Sequence, residues 1–335
     1  MGYYKTVIAD CPQTVEADEA LSRLEDVYGR MNRPGEFLAY IDASGMSDVK
    51  SDGEREKMLY ASVSRLYGNG RYGAALNSAQ SLLAAYPDGE YSSMTKYLLA
   101  RSLEATGRKE AAMDVYMEVS SSGDASVALP SLAAYADLAC SLGRYERAVK
   151  AYGSVILSDA SSKELKIKAT SGRMRASFEL KKYDNVITDA QKLMSVQAIP
   201  DSVAREARYF LAKSYLRKEN REFAIPVLAS LSADSGDRFG AEAAFLLIMD
   251  AYNSGNFRAV ASRVGILSDS GTKEKYWLAR SLIVLGDSYA DGGDLDRAET
   301  LYRKVADDYG ISDDIPERVK GRLAMIESKR KEVAG

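Results

Sequence analysis

The chain has 335 residues, 46% of them apolar, and its 45 basic and 48 acidic side chains leave a net charge of −3. That balance excludes a basic nucleic-acid surface or an anionic-membrane patch as the organising feature, and the longest apolar runs, such as residues 245–249, are far too short to span a bilayer. There is no histidine, which removes the commonest general base and the commonest transition-metal ligand.

In chain order, residues 3–11, YYKTVIADC, have the spacing of the second half of a later helix pair: Tyr4, Val7 and Pro12 stand as Ala79, Leu82 and Pro87 do. No partner helix precedes them. The expectation is the C-terminal part of a longer protein, with Met1-Gly2 an added start and an apolar N-terminal end open to self-association. An orphan helix capping that end is the alternative. Val15–Arg30 reads as a first helix with Ala17, Leu21, Leu24 and Tyr28 on one stripe. Pro34 suits the first turn of the next helix, where its missing N–H costs nothing, and Phe37, Tyr40 and Ile41 give that helix its apolar face.

Residues 44–53 form a polar loop, after which Ser51 and Glu54 have the spacing of a capping box. Helix pairs follow over 54–86, 91–121, 127–157, 163–196, 202–233, 238–268 and 273–308. Pro130 falls early in its helix, Ser161 and Glu164 suggest a second capping box, and Pro226 lies beyond the first turn, where it removes one backbone bond. Residues 313–333 predict a last helix, with Pro316 in its first turn and Val319, Leu323 and Ile326 on one stripe. Its other faces are charged, as a terminal cap requires, and Lys329-Arg330-Lys331 sits where a helix C-terminus favours positive charge.

The plainest copy of the unit is 282–308. Leu282, Leu285, Gly286 and Tyr289 share one helical face and Leu295, Ala298, Tyr302 and Val305 another, separated by Gly292-Gly293. Gly286 and Ala298 are small where two helices must approach closely. A small or β-branched residue recurs five places after each turn, at Ala75, Ala112, Ala148, Val186, Ala224, Val260 and Ala298, with intervals of 37, 36, 38, 38, 36 and 38. Five residues earlier stand Gly70, Gly107, Gly143, Lys181, Glu219, Gly255 and Gly293. Seven residues later the position is always apolar: Leu82, Val119, Val155, Leu193, Leu231, Leu267 and Val305. One such hairpin cannot bury its own stripes and must stack on a neighbour. The expected architecture is all-α: a continuous solenoid over 3–310, made of an orphan helix at 3–11 and eight pairs, then a capping helix at 313–333, about 18 helices in all.

The unit resembles the tetratricopeptide repeat in Leu282, Leu285, Gly286, Tyr289, Ala298 and Tyr302, which occur in that family's order. Leu282 replaces the family's tryptophan, its closing proline is replaced near Gly310, and the period is longer than the usual roughly 34 residues. The resemblance implies a right-handed superhelix whose first helices line a concave groove, and a non-enzymatic scaffold that binds a peptide or protein there. On those helices the stripe beside the packing stripe then gives Tyr60, Tyr67, Tyr97, Arg101, Arg175, Phe178, Tyr209, Lys213 and Tyr252 as candidate binding residues. Tyrosine and arginine combine contact area with a polar tip, and 22 tyrosines against 7 phenylalanines fit aromatics that reach water.

Two alternatives stand beside it: a structural part of a larger assembly that makes contact through its repeat ends, and a glycan-binding helical protein, which needs aromatics clustered on loops. Tyr86-Pro87-Asp88-Gly89-Glu90-Tyr91 and Asp307-Asp308-Tyr309-Gly310 resemble repeats of bacterial cell-envelope proteins, which implies a periplasmic or envelope-associated setting.

Nothing in the sequence assembles a catalytic, cofactor or metal set, so no enzyme activity, cofactor or nucleic-acid partner is expected. Cys11 and Cys140 lie far apart and read as packed thiols, and Cys140 has no basic neighbour to activate it. Asp307-Asp308 and Asp313-Asp314 fall at helix ends, where carboxylates serve as caps. Gly68-Asn69-Gly70 lacks the phosphate-loop pattern, and the segment from Asp291 to Asp294 lacks the rest of a calcium-ligand series.

Overall fold

The computed structural model describes residues 1–334. Eight residues decide where the chain reverses. Asn32, Gly70, Gly107, Gly143, Lys181, Glu219, Gly255 and Gly293 all have positive φ, between +56° and +85°. At each one the N–H bonds to the carbonyl three residues back, and the next N–H bonds to the carbonyl five back. Gly143 to Cys140 (3.0 Å) and Arg144 to Ala139 (2.8 Å) illustrate the pattern. This is the Schellman arrangement, which satisfies the last carbonyls of a helix and turns the chain out of it. Seven of the positions are those that the spacing predicts. Asn32 is an eighth, with Phe37 five residues on where the other copies carry a small or β-branched side chain.

These turns separate the first and second helices of eight pairs: α2 (Val15–Arg30) and α3 (Pro34–Ala43), α4 (Asp52–Gly68) and α5 (Tyr72–Ala85), α6 (Ser92–Ala105) and α7 (Lys109–Ser120), α8 (Ala125–Ser141) and α9 (Tyr145–Leu157), α10 (Lys163–Glu179) and α11 (Tyr183–Met194), α12 (Asp201–Arg217) and α13 (Arg221–Ser232), α14 (Arg238–Asn253) and α15 (Phe257–Asp269), α16 (Lys275–Asp291) and α17 (Leu295–Asp308). Before them stands α1 (Gly2–Asp10) and after them α18 (Ile315–Ala334); a 3-10 turn, Ser47–Val49, interrupts the loop ahead of α4. The described residues contain 18 α-helices and no strand, the all-helical class expected. The residue five places after each turn is 0% exposed in all eight pairs, so this is where the two helices of a pair close on each other.

The chain forms two compact units, residues 1–172 and 173–335, divided within α10. In the first, α1 lays Ile8, Tyr4 and Val7 on a cluster that holds Leu24, Tyr28, Phe37 and Ile41. Ser51 and Glu54 make both bonds of the capping box at α4. Glu56 of α4 is buried and accepts the backbone N–H groups of Glu90 (3.0 Å) and Tyr91 (2.7 Å), which fixes the start of α6. A Cβ on Gly89 would overlap that carboxylate, so a larger residue there would have to displace the Glu56 side chain from its two bonds. Deeper inside, Tyr116 donates to Glu104 at 2.8 Å and Tyr152 to Asp137, both phenols buried against the first helix of their own pair.

In the second unit Tyr302 repeats this arrangement, donating to Asp287 at 2.7 Å. A Cβ on Gly286 would overlap its ring, which is the close approach expected of that glycine. Arg173 grips the buried Asp189 with two donors. The cap α18 buries Ile315, Val319 and Ile326 in the cluster that contains Tyr302 and Val305.

Four expectations need correction. The serine that caps α10 is Ser162, which accepts from the Leu165 N–H at 3.1 Å; Ser161 turns inward and donates to the Val155 carbonyl at 2.6 Å. Cys11 is exposed rather than packed, because it follows the last turn of α1, outside the helix contact. The loop after α3 is shorter than 44–53, since α4 begins at Asp52. Arg330 does more than complement a helix end: it pairs with Asp296 and Glu299 of α17.

Two predictions follow from this packing. Lys181 and Glu219 hold a left-handed backbone that glycine adopts freely. Lys181→Gly and Glu219→Gly should each raise stability by roughly 0.5–1 kcal/mol in urea denaturation, the left-handed penalty less the entropy that glycine adds to the unfolded chain. Burial first, and the accepting carboxylate second, hold the Tyr116, Tyr152 and Tyr302 hydroxyls protonated well above the ordinary tyrosine range. The unfolded chain releases these protons near pH ~10 while the folded chain keeps them. Stability should therefore be intact below that pH and fall as pH rises above it. Urea midpoints at about pH 9 and about pH 11 measure the drop, which the Tyr116→Phe, Tyr152→Phe, Tyr302→Phe triple variant should reduce.

Candidate functional site

The candidate residues on the first helices fall into one group in each unit. In the first unit, α4 carries Tyr60 and Tyr67, and α6 carries Tyr97 and Arg101; all four are half-buried. Tyr60 stacks on Tyr91, which precedes α6, with centroids 4.7 Å apart and planes at 23°. Arg101 lies over Tyr67 (5.4 Å) and Tyr97 (5.7 Å) and donates to the Tyr97 hydroxyl at 3.0 Å. It makes no ion pair among the described residues. Burial raises the Tyr67 pKa, and the Arg101 charge partly offsets this. Two aromatic faces, those of Tyr67 and Tyr97, thus flank one guanidinium whose remaining N–H donors meet no carboxylate among the described residues.

Tyr67 has a second role. It packs on Tyr72 across the turn at Gly70, as Phe178 packs on Tyr183 and Tyr252 on Phe257 across theirs. An aromatic three residues before the left-handed position thus meets one two residues after it and clasps the turn.

In the second unit the arrangement is more tightly tied. Arg175 is exposed and gives both Glu206 oxygens a donor, at 2.8 and 2.9 Å. Phe178 meets Phe210 edge-on at 5.1 Å. Tyr209, Lys213 and Glu242 close a triangle: the phenol donates to Glu242 (2.8 Å), and the ammonium donates to the phenol (2.7 Å) and to Glu242 (2.9 Å). Tyr209 is 4% exposed and packs on Phe239 and Phe210. It therefore belongs to the packing between α12 and α14 and offers no free face. Burial, then Glu242, raises its pKa. Tyr252 donates to Asp291 at 2.6 Å, and this bond, with burial second, pushes its pKa up to about 12.

Three participants escaped the sequence reading: Tyr91, Trp277 and Arg280. Tyr91 precedes its helix, and Trp277 and Arg280 lie in the first two turns of α16. The placing of Arg280 three and four residues after Trp277 and Tyr276 was the signal available. Among the described residues no three His, Cys, Asp or Glu side chains gather as metal ligands. Asp294 caps α17 by accepting the Arg297 N–H at 3.1 Å, and Asp291 accepts from Tyr252, so both carboxylates at that turn have structural partners.

Comparison with known proteins adds the following. Models of the tetratricopeptide repeat match residues 60–125 and 276–310. Curated protein sequences contain no match to the chain. Among solved structures it is similar to a tetratricopeptide repeat protein from Parabacteroides merdae, at 15% identity over 81% of this chain and 98% of that one, with a TM-score of 0.49. It is also similar to the C-terminal part of a repeat-containing protein from Cytophaga hutchinsonii, at 10% identity over 88% and 98% of the two chains and a TM-score of 0.46. The Naa15/Naa10 complex bound to HypK offers a third likeness, at 16% identity over 84% of this chain and 42% of that one, with a TM-score of 0.44. The two matched segments include the Tyr60–Arg101 patch and the α16–α17 pair, and the helix-pair architecture is of the tetratricopeptide type.

Proposed function

We propose that the chain is a non-enzymatic scaffold that holds an extended peptide or protein segment against its first helices, with the α4–α6 surface as the main contact. The observation that carries this reading is the set of four half-buried side chains on α4 and α6, Tyr60, Tyr67, Tyr97 and Arg101, in which Tyr67 and Tyr97 flank a guanidinium that makes no ion pair among the described residues. The match to tetratricopeptide models over 60–125 supports it, because that segment contains all four residues. Stacking and turn-clasping already restrict the Tyr60 and Tyr67 rings. A ligand that meets them costs little further side-chain entropy and gains aromatic contact area. Arg175 and Lys213 in the second unit are engaged by Glu206 and Glu242, so they contribute less to such a surface than Arg101 does.

Selection of peptides from a displayed random library against the full chain tests this. Peptides that bind wild type should lose about 30-fold or more in affinity for the Tyr60→Ala, Tyr67→Ala, Tyr97→Ala triple variant, the loss expected when aromatic anchors are removed. Circular dichroism should show that variant still folded. Wild-type affinity retained by the triple variant would contradict the reading.

A further inference from the structure

The first helices of the second unit are tied to one another by a ladder of ion pairs. Arg175 of α10 meets Glu206 of α12 at 2.8 Å, Lys213 of α12 meets Glu242 of α14 at 2.9 Å, and Asp287 of α16 meets Arg322 of α18 at 2.6 Å. The first member of each rung stands six residues before a left-handed turn residue, Lys181, Glu219 or Gly293. Its partner reaches across from the next first helix or, for Asp287, from the cap α18. The sign of the rung varies, but the register does not.

One rung is missing. Six residues before Gly255 stands Met249, and the position on α16 that matches Glu206 and Glu242, thirteen residues before the next left-handed residue, is Arg280. Arg280 makes no ion pair among the described residues. Its guanidinium lies 4.4 Å from the Phe245 centroid, 5.7 Å from that of Trp277 and 5.8 Å from that of Tyr276. Phe245 is buried, whereas Met249, Tyr276, Trp277 and Arg280 are half-buried, so the site is open on one side. Aromatic faces attract the flat guanidinium and leave its in-plane N–H donors unused. That planar fork fits a carboxylate with two parallel bonds. The carboxylates of the rungs on either side, Glu242 and Asp287, are already matched by Lys213 and Arg322, and Asp314, which meets Tyr276, is paired with Arg318.

We propose that Arg280 is the docking point for an aspartate or glutamate side chain of an extended partner segment, which supplies the rung that Met249 leaves out. This rests on the scaffold reading and adds the chemistry of the ligand to it.

Trp277 is the chain's single tryptophan and lies beside the guanidinium, so it reports on the site directly. The probes are a short alternating Glu-Ala peptide and its Gln-Ala counterpart, titrated into the full chain while Trp277 emission is followed. The acidic probe should give a saturable change and bind about tenfold more tightly than the glutamine probe, the worth of one charge-assisted pair. Arg280→Gln should abolish that difference. Met249→Glu, which restores the rung from within, should abolish it too while raising the thermal midpoint. Equal binding of the two probes, no Trp277 response to either, or acidic-probe affinity unchanged in Met249→Glu would each overturn the proposal. The library selection on the Tyr60–Arg101 patch does not depend on Trp277. It decides separately whether the scaffold reading falls as well.

Discussion

The structure depends on a single backbone constraint: a left-handed residue closes each first helix. Because that residue turns the chain out of the helix in a fixed direction, the side chain five places on packs back between the two helices of the pair. It is fully buried in all eight pairs. Glycine meets the constraint in five pairs; Asn32, Lys181 and Glu219 meet it with a Cβ present. Those three are tolerated because both Schellman bonds and the buried contact five residues later hold the conformation from either side. The period of the chain is thus the spacing of these turns, and the helices fill the interval between them.

Polar contacts then set the register between helices. Three buried phenols, Tyr116, Tyr152 and Tyr302, each donate to a carboxylate on the first helix of their own pair. A directional bond from inside an apolar contact fixes the relative slide of two helices in a way that alanine packing cannot, since leaving either group unpaired there would be costly. Asp137 also accepts from the following first helix, through Lys168, and Asp287 from the cap α18, through Arg322. One carboxylate thereby joins the inside of a pair to its neighbour. Where the same register position carries no charge, as at Met249, the opposing cation is left to the surface. The functional proposals arise there, from places where a repeated structural pattern is incomplete.

Much of the fold was legible in the sequence because its signals are local. The bounds of α2, the capping box at Ser51 and the role of Gly286 are all visible in residue spacing. Asn32 was not, because a phenylalanine stands five residues on and hides the small-residue pattern. Ser161 and Ser162 could not be told apart, since either can cap a helix and only the burial of one decides. The surface was less legible. Tyr60, Tyr67, Tyr97 and Arg101 lie on α4 and α6 as the stripe implies, but Tyr209, at the same position in its helix as Tyr60 and Tyr97, is enclosed by Phe210, Phe239 and Glu242. Exposure at that position depends on which residues the neighbouring first helix presents, and no single-helix pattern contains that information.

The central claim is that, within each unit, each pair is held by its own turn and by its neighbours. Native-state hydrogen exchange on Gly143→Ala tests it most directly, because the substitution strains one turn by roughly 1–2 kcal/mol and removes no contact. Protection should fall most in α8 and α9, less in α6 and α7, and not in α2 to α4. Equal loss of protection from α2 through α9 would contradict the account and show that the first unit opens as a single cooperative body.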